Sequence, residues 1–90
     1  MASHTWEFYA AGFFAKHLPD TYTGTVTLGD LVLADIPAEV QGVYYYDPAI
    51  PGYTFWYPGV GGALTTLSGG PLYDYQVAVS GACAWTIPTP

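Results

Sequence analysis

The chain contains no arginine and a single lysine, Lys16, against seven Asp and Glu residues, for a formal net charge of −6. Neutralising a nucleic-acid backbone takes several Lys and Arg side chains, so nucleic acid is excluded as a partner. An anionic membrane surface is disfavoured on the same ground. Cysteine is almost missing: Cys83 stands alone and cannot staple the fold from within. The only imidazoles are His4 and His17, with no His-x-x-x-His spacing, whereas a metal site needs three or four convergent ligands. Solvated surface histidines are the expectation, with no metal and no cofactor. Long apolar runs are lacking as well. Phe8 to Ala15 falls short of the roughly 20 residues of a spanning helix and has no basic segment of an export signal before it. No membrane span is expected, and the chain reads as cytoplasmic or as the mature or excised part of an exported protein.

What is present is apolar and aromatic. Apolar types make up 51% of the residues and charged types 9%, against about 25% charged in an ordinary soluble domain. Ninety residues form one domain, 1–90, which buries only about 60–65% of the surface that its unfolded chain exposes. With no disulfide available, stability must come from a dense aromatic core or from another chain. A homo-oligomer or a neighbouring protein subunit is therefore the expected partner.

Residues 43–57 carry most of the fold information. Val43 to Tyr46 and Thr54 to Tyr57 read as strands, because aromatic residues suit a pleated, half-buried surface. Asp47-Pro48 and Pro51-Gly52 between them are turn dipeptides. Further on, Tyr73, Tyr75, Val77 and Val79 alternate with Asp74, Gln76, Ala78 and Ser80, the pattern of a half-buried strand. Cys83, Trp85 and Ile87 share a face of a last strand. Trp6 to Ala15 is apolar on both sides, which suggests one buried central strand, with Gly12 marking a bulge or a close approach. Residues 25–36 read either as a hairpin around Gly29-Asp30 or as a short helical turn capped by Thr27 and stopped by Pro37. Many short strands between Gly/Pro turns give a mainly antiparallel β fold, a small sandwich or barrel, with room for one short helix over residues 28–36. The expected core comprises Trp6, Phe8, Phe13, Leu31, Leu33, Ile36, Val43, Phe55, Leu64, Leu67, Tyr73, Tyr75, Val77, Val79, Trp85 and Ile87.

From about Val26 onward the chain resembles a small domain found, often in tandem, in large exported surface proteins of environmental bacteria. The resemblance rests on Leu28–Ile36 before Pro37-Ala38-Glu39-Val40, on Val43-Tyr44-Tyr45-Tyr46-Asp47, on Trp56-Tyr57-Pro58-Gly59, and on Leu64 and Leu67 before Gly69-Gly70. Tyr73-Asp74-Tyr75 and Trp85-Thr86-Ile87-Pro88 complete it. Pro71-Leu72 interrupts the pattern, and the N-terminal third does not align. The resemblance implies an extracellular or cell-surface, non-catalytic structural or interaction module, and it favours the short helix over residues 28–36.

Nothing in the residues points to catalysis. Cys83 with His17 lacks the electropositive setting that activates a thiol and is expected to be an inert core residue. Asp47 and Asp74 could pair as acid and base, but loop aspartates more often cap their own turns. An enzyme built on His17, Asp20, Asp47 or Asp74 is the weakest alternative. Gly59, Gly61-Gly62 and Gly69-Gly70 form no phosphate-binding motif. The leading expectation is a non-enzymatic module that self-associates through an apolar, charge-poor surface. The alternative is a carbohydrate or small-ligand binding domain that uses exposed Tyr44, Tyr46, Trp56 or Tyr57, whose rings stack on flat partners while their polar edges hydrogen-bond.

Overall fold

A computed structural model describes residues 3–22, 24–31, 35–70 and 73–88. Among them are eight strands: β1 (His4–Phe8), β2 (Gly12–Lys16), β3 (Thr25–Thr27), β4 (Val40–Asp47), β5 (Gly52–Trp56), β6 (Thr66–Ser68), β7 (Tyr75–Val79) and β8 (Cys83–Ile87). They form a four-stranded sheet in the order β2-β7-β4-β5 and two-stranded sheets β1-β8 and β3-β6. Every strand pair is antiparallel. The fold is mainly β, as expected, and among the described residues no sheet closes into a barrel.

The N-terminal apolar run is two strands rather than one. Phe8 faces Cys83 on β8, and Gly12 faces Val79 on β7, so the register runs on unbroken across the intervening residues. One long antiparallel ribbon thus folds over a corner at Tyr9–Ala11 and Ser80–Ala82, leaving one sheet and entering the next. Such corners let strands switch sheets while both flanks stay apolar. Gly12 makes the bend possible, with φ +142°, a conformation that an L side chain resists.

Among the described residues of 25–36, neither the hairpin around Gly29-Asp30 nor a regular helix is formed. β3 pairs with β6, Val26 opposite Leu67, and Leu28–Asp30 form a single 3₁₀ turn in which Thr27 makes no side-chain cap bond. The segment 32–34, and with it Leu33, lies outside the described residues. The β4–β5 hairpin does follow the sequence signals. Asp47 caps its own turn, its Oδ1 accepting from the Ala49 N–H at 2.9 Å.

One core joins the three sheets. Trp6 and Trp85 sit opposite each other across β1 and β8, edge to face with ring centroids 5.6 Å apart, a geometry worth about 0.5–1.5 kcal/mol beyond burial alone. The Trp6 indole N–H donates to the His17 carbonyl at 3.1 Å. Phe8, Val43, Tyr75, Val77, Val79 and Ile87 surround the pair, and Ile36, Leu64 and Leu67 are buried with them. Leu31 is half-buried against this cluster. Three expected members lie outside it: Phe13, Phe55 and Tyr73 are 68%, 42% and 40% exposed. Leu18, Tyr22, Val26, Leu28, Val40 and Trp56 fill the core instead. The chain has 16 aromatic rings (Trp 3, Tyr 9, Phe 4), more than a core of this size can enclose. Which rings stay outside is decided by strand parity.

Candidate functional site

The outer face of the four-stranded sheet is where the surplus rings gather. Its cross-strand rows follow from the register. Phe13 lies beside Ala78 and Gly42, and the next row runs Ala15, Gln76, Tyr44, Phe55. Tyr46 then faces Tyr53. Just past β5, Tyr57 folds back over Gly42, where an added Cβ would come within 2.8 Å of the Tyr57 ring. The missing side chain of Gly42 leaves the room that the Tyr57 ring occupies.

The rings form two groups of contacts, one around Tyr44 and one made of Tyr46 and Tyr53. Phe13 is 5.8 Å from Tyr44, which is 6.3 Å from Phe55 and 5.9 Å from Tyr57. Phe55 and Tyr57 are 5.1 Å apart, and Tyr46 and Tyr53 5.2 Å. Neighbouring planes are inclined by 43° to 81°, so the surface is corrugated rather than flat. The Tyr44 hydroxyl donates to that of Tyr57 at 3.2 Å. That bond, helped by desolvation and by the Tyr57 charge, moves the Tyr44 phenol above its ordinary pKa. No charged residue stands in the first two rows. At the margin, past the ends of β2 and β7, His17 Nδ1 and Asp74 Oδ1 are 3.6 Å apart, both side chains more than half exposed.

Of the four residues named from sequence, the structure brings Tyr44, Tyr46 and Tyr57 together on this face. Trp56 does not join them. It pairs with Val43 and is 6% exposed, so it belongs to the core and cannot offer its ring to a ligand. The reason is parity: Phe55 and Tyr57 take the outer face of β5, which sends Trp56 inward. Phe13, Tyr53 and Phe55 are the members that sequence reasoning missed. The signal available for Phe55 was its place on the same strand face as Tyr57. Tyr45 points inward, half-buried and 5.6 Å from Tyr75.

Elsewhere, Cys83 is half-buried against the core, and burial, with a smaller push from Glu39, raises its thiol pKa. A raised pKa leaves less nucleophilic thiolate at neutral pH. Asp47 is engaged in its turn. Among the described residues no group of three or more His, Cys, Asp or Glu is placed to hold a metal ion. What the fold and the site define is a small β domain with an aromatic sheet face whose first two rows carry no charge. No family model, curated protein or solved structure matches the chain.

Proposed function

We propose that this domain is a non-enzymatic interaction module and that its working surface is the outer face of the four-stranded sheet, through which it binds a second copy of itself. The observation that supports this is the gathering of Phe13, Tyr44, Tyr46, Tyr53, Phe55 and Tyr57 on one sheet face whose first two rows carry no charged residue. Scattered exposed apolar residues are normal, whereas a contiguous patch is characteristic of an interaction site.

Area and charge both favour a second copy. Phe13, Tyr53, Tyr46 and Phe55 are 68%, 62%, 48% and 42% exposed. At about 150–250 Å² per aromatic residue they present roughly 330–550 Å² together. That is about half of the roughly 800 Å² that each partner contributes to a standard interface, before Tyr44, Tyr57, Ala15 and Gln76 are added. A copy carrying −6 is repelled by its twin everywhere except over an uncharged face. The tilted rings also suit interdigitation with a second corrugated surface. A carbohydrate platform would use the same rings, but planes inclined by 43° to 81° give no flat shelf for a run of sugar rings.

Sedimentation velocity over a wide concentration range tests the proposal. A reversible dimer or larger oligomer is expected, tightening as salt screens the mutual repulsion. A strict monomer at every concentration and salt level would overturn it.

A further inference from the structure

Strand β2 is an edge of the four-stranded sheet, and among the described residues no other main chain bonds to its outer side. What that side presents follows from hydrogen-bond parity across the sheet. The Phe55 carbonyl accepts from the Leu64 N–H at 3.1 Å, so Phe55 turns its main chain away from β4 and Trp56 turns toward it. Along antiparallel strands this direction alternates from residue to residue. Through the registers, Val43 then bonds to β5, Gln76 to β4 and Val77 to Phe14. Phe13 and Ala15, both exposed, are left with N–H and C=O pointing outward. The opposite edge, β5, is partly closed by Leu64 and by the Tyr57 N–H, which donates to the Gly61 carbonyl at 3.1 Å. Open edges are blunted in most proteins by Pro, charge or a bulge. β2 reads Gly-Phe-Phe-Ala-Lys, with its one charge at the far end.

We propose that β2 pairs antiparallel with β2 of a second copy, joining two four-stranded sheets edge to edge about a two-fold axis at Phe14. In that register the strand is complementary to itself. Phe13 exchanges both main-chain bonds with the partner's Ala15, and Ala15 with the partner's Phe13. On the outer face each Phe13 ring then lies beside a small side chain. On the inner face Phe14, half-buried against the core, meets the partner's Phe14 in a non-bonded pair about 4.5 Å apart at Cα, a position that favours aromatic pairs. Lys16, its ammonium 5.1 Å from the centre of the Phe8 ring, falls opposite the partner's Gly12, which has no side chain to meet it. Charge permits a copy here, although the whole chain carries −6. β2 contains no acid, and its lysine and the partner's Lys16 stand about 14 Å apart, further than the Debye length of about 8 Å at physiological salt. The aromatic faces come out on the same side of the joined sheet, so the pairing lengthens that surface and leaves it free to stack. The proposal rests on the domain being self-associating and adds a main-chain contact to the one through the face.

Amide hydrogen exchange of the whole chain, followed by nuclear magnetic resonance at several protein concentrations with sedimentation velocity in parallel, tests the proposal. The Phe13 and Ala15 amides should exchange freely at a dilution where the chain is a monomer, and at least about tenfold more slowly where it associates. Tyr53→Ser, at the far side of the aromatic face, should leave that protection in place. Ala15→Pro, a change that an edge strand tolerates, removes one donor and should weaken association at least about tenfold. The native chain's exchange decides the matter even if that variant does not fold. Association with both amides still exchanging freely would overturn the edge pairing and leave the face as the contact. Protection that is the same at every concentration would overturn it too, and a strict monomer would overturn edge and face together.

Discussion

Phe55 and Trp56 are adjacent in sequence yet predicted to differ several-fold in what they contribute to folding. Trp56 is 6% exposed and packs inside, opposite Val43. Truncating a buried Trp to Ala costs about 3–5 kcal/mol through lost transfer energy and the cavity left behind. A 90-residue domain has about 5–13 kcal/mol in total, so Trp56→Ala removes a large share of it. Phe55 is 42% exposed, and its ring meets Tyr57 and Tyr44 on the open face. Phe55→Ala gives up those edge contacts, about 1 kcal/mol, and leaves the core intact. Urea unfolding monitored by Trp fluorescence measures both, at a dilution where the native protein sediments as a monomer. The denaturation midpoint should fall sharply for Trp56→Ala and slightly for Phe55→Ala, with similar slopes. Equal losses, or a larger loss for Phe55→Ala, would show that β5 faces the other way and would take the aromatic face away with it.

Other perturbations probe separate parts of the molecule. Phe13→Ser removes a ring that is 68% exposed, so it should change the unfolding midpoint by less than about 1 kcal/mol yet weaken self-association at least about tenfold by sedimentation. Gly42→Ala sets a methyl group against the Tyr57 ring. The ring must swing away and the Tyr44–Tyr57 hydroxyl contact is lost, detectable as a lower Tyr44 phenol pKa in a spectrophotometric titration. The Tyr75 hydroxyl accepts from the Ser68 N–H at 2.9 Å, so Tyr75→Phe should cost about 1–3 kcal/mol by leaving that donor unpaired. Burial raises the Tyr75 pKa. Its neutral form is favoured by folding, and the associated stability, complete below about pH 10, is lost as pH rises further; Tyr75→Phe should flatten that decline in alkaline denaturation. Cys83, with its pKa raised by burial and Glu39, should react with a thiol reagent about tenfold more slowly in the folded protein than in urea.

How much the sequence discloses depends on which physical signal each segment carries. Alternation made β7 legible, with Tyr75, Val77 and Val79 all buried, and turn residues made the β4–β5 hairpin legible. Alternation separates two faces but does not say which is inside when both are aromatic. That is why the sequence pattern puts Phe55 in the core and Trp56 on the surface, whereas the structure has Trp56 6% and Phe55 42% exposed. The corner between β1 and β2 was hidden because both flanks are apolar, and only Gly12 marked it. β3 pairs with β6 from far along the chain, a long-range contact that the local pattern around Gly29-Asp30 could not reveal. Of the candidate site, the tyrosines were visible from sequence. Phe13 joins them only once β7 and β4 are known to lie between it and β5.

His4 lies directly across from Ile87 on the paired outermost strands. A short flexible tether between His4 and Ile87 would therefore leave the β1-β8 sheet undistorted, since closing a small loop loses little chain entropy. New extremities could then be opened in the exposed Pro48–Pro51 connection. The same neighbourliness suits the unit to being spliced whole into a surface loop of a carrier protein, entering and leaving through one doorway.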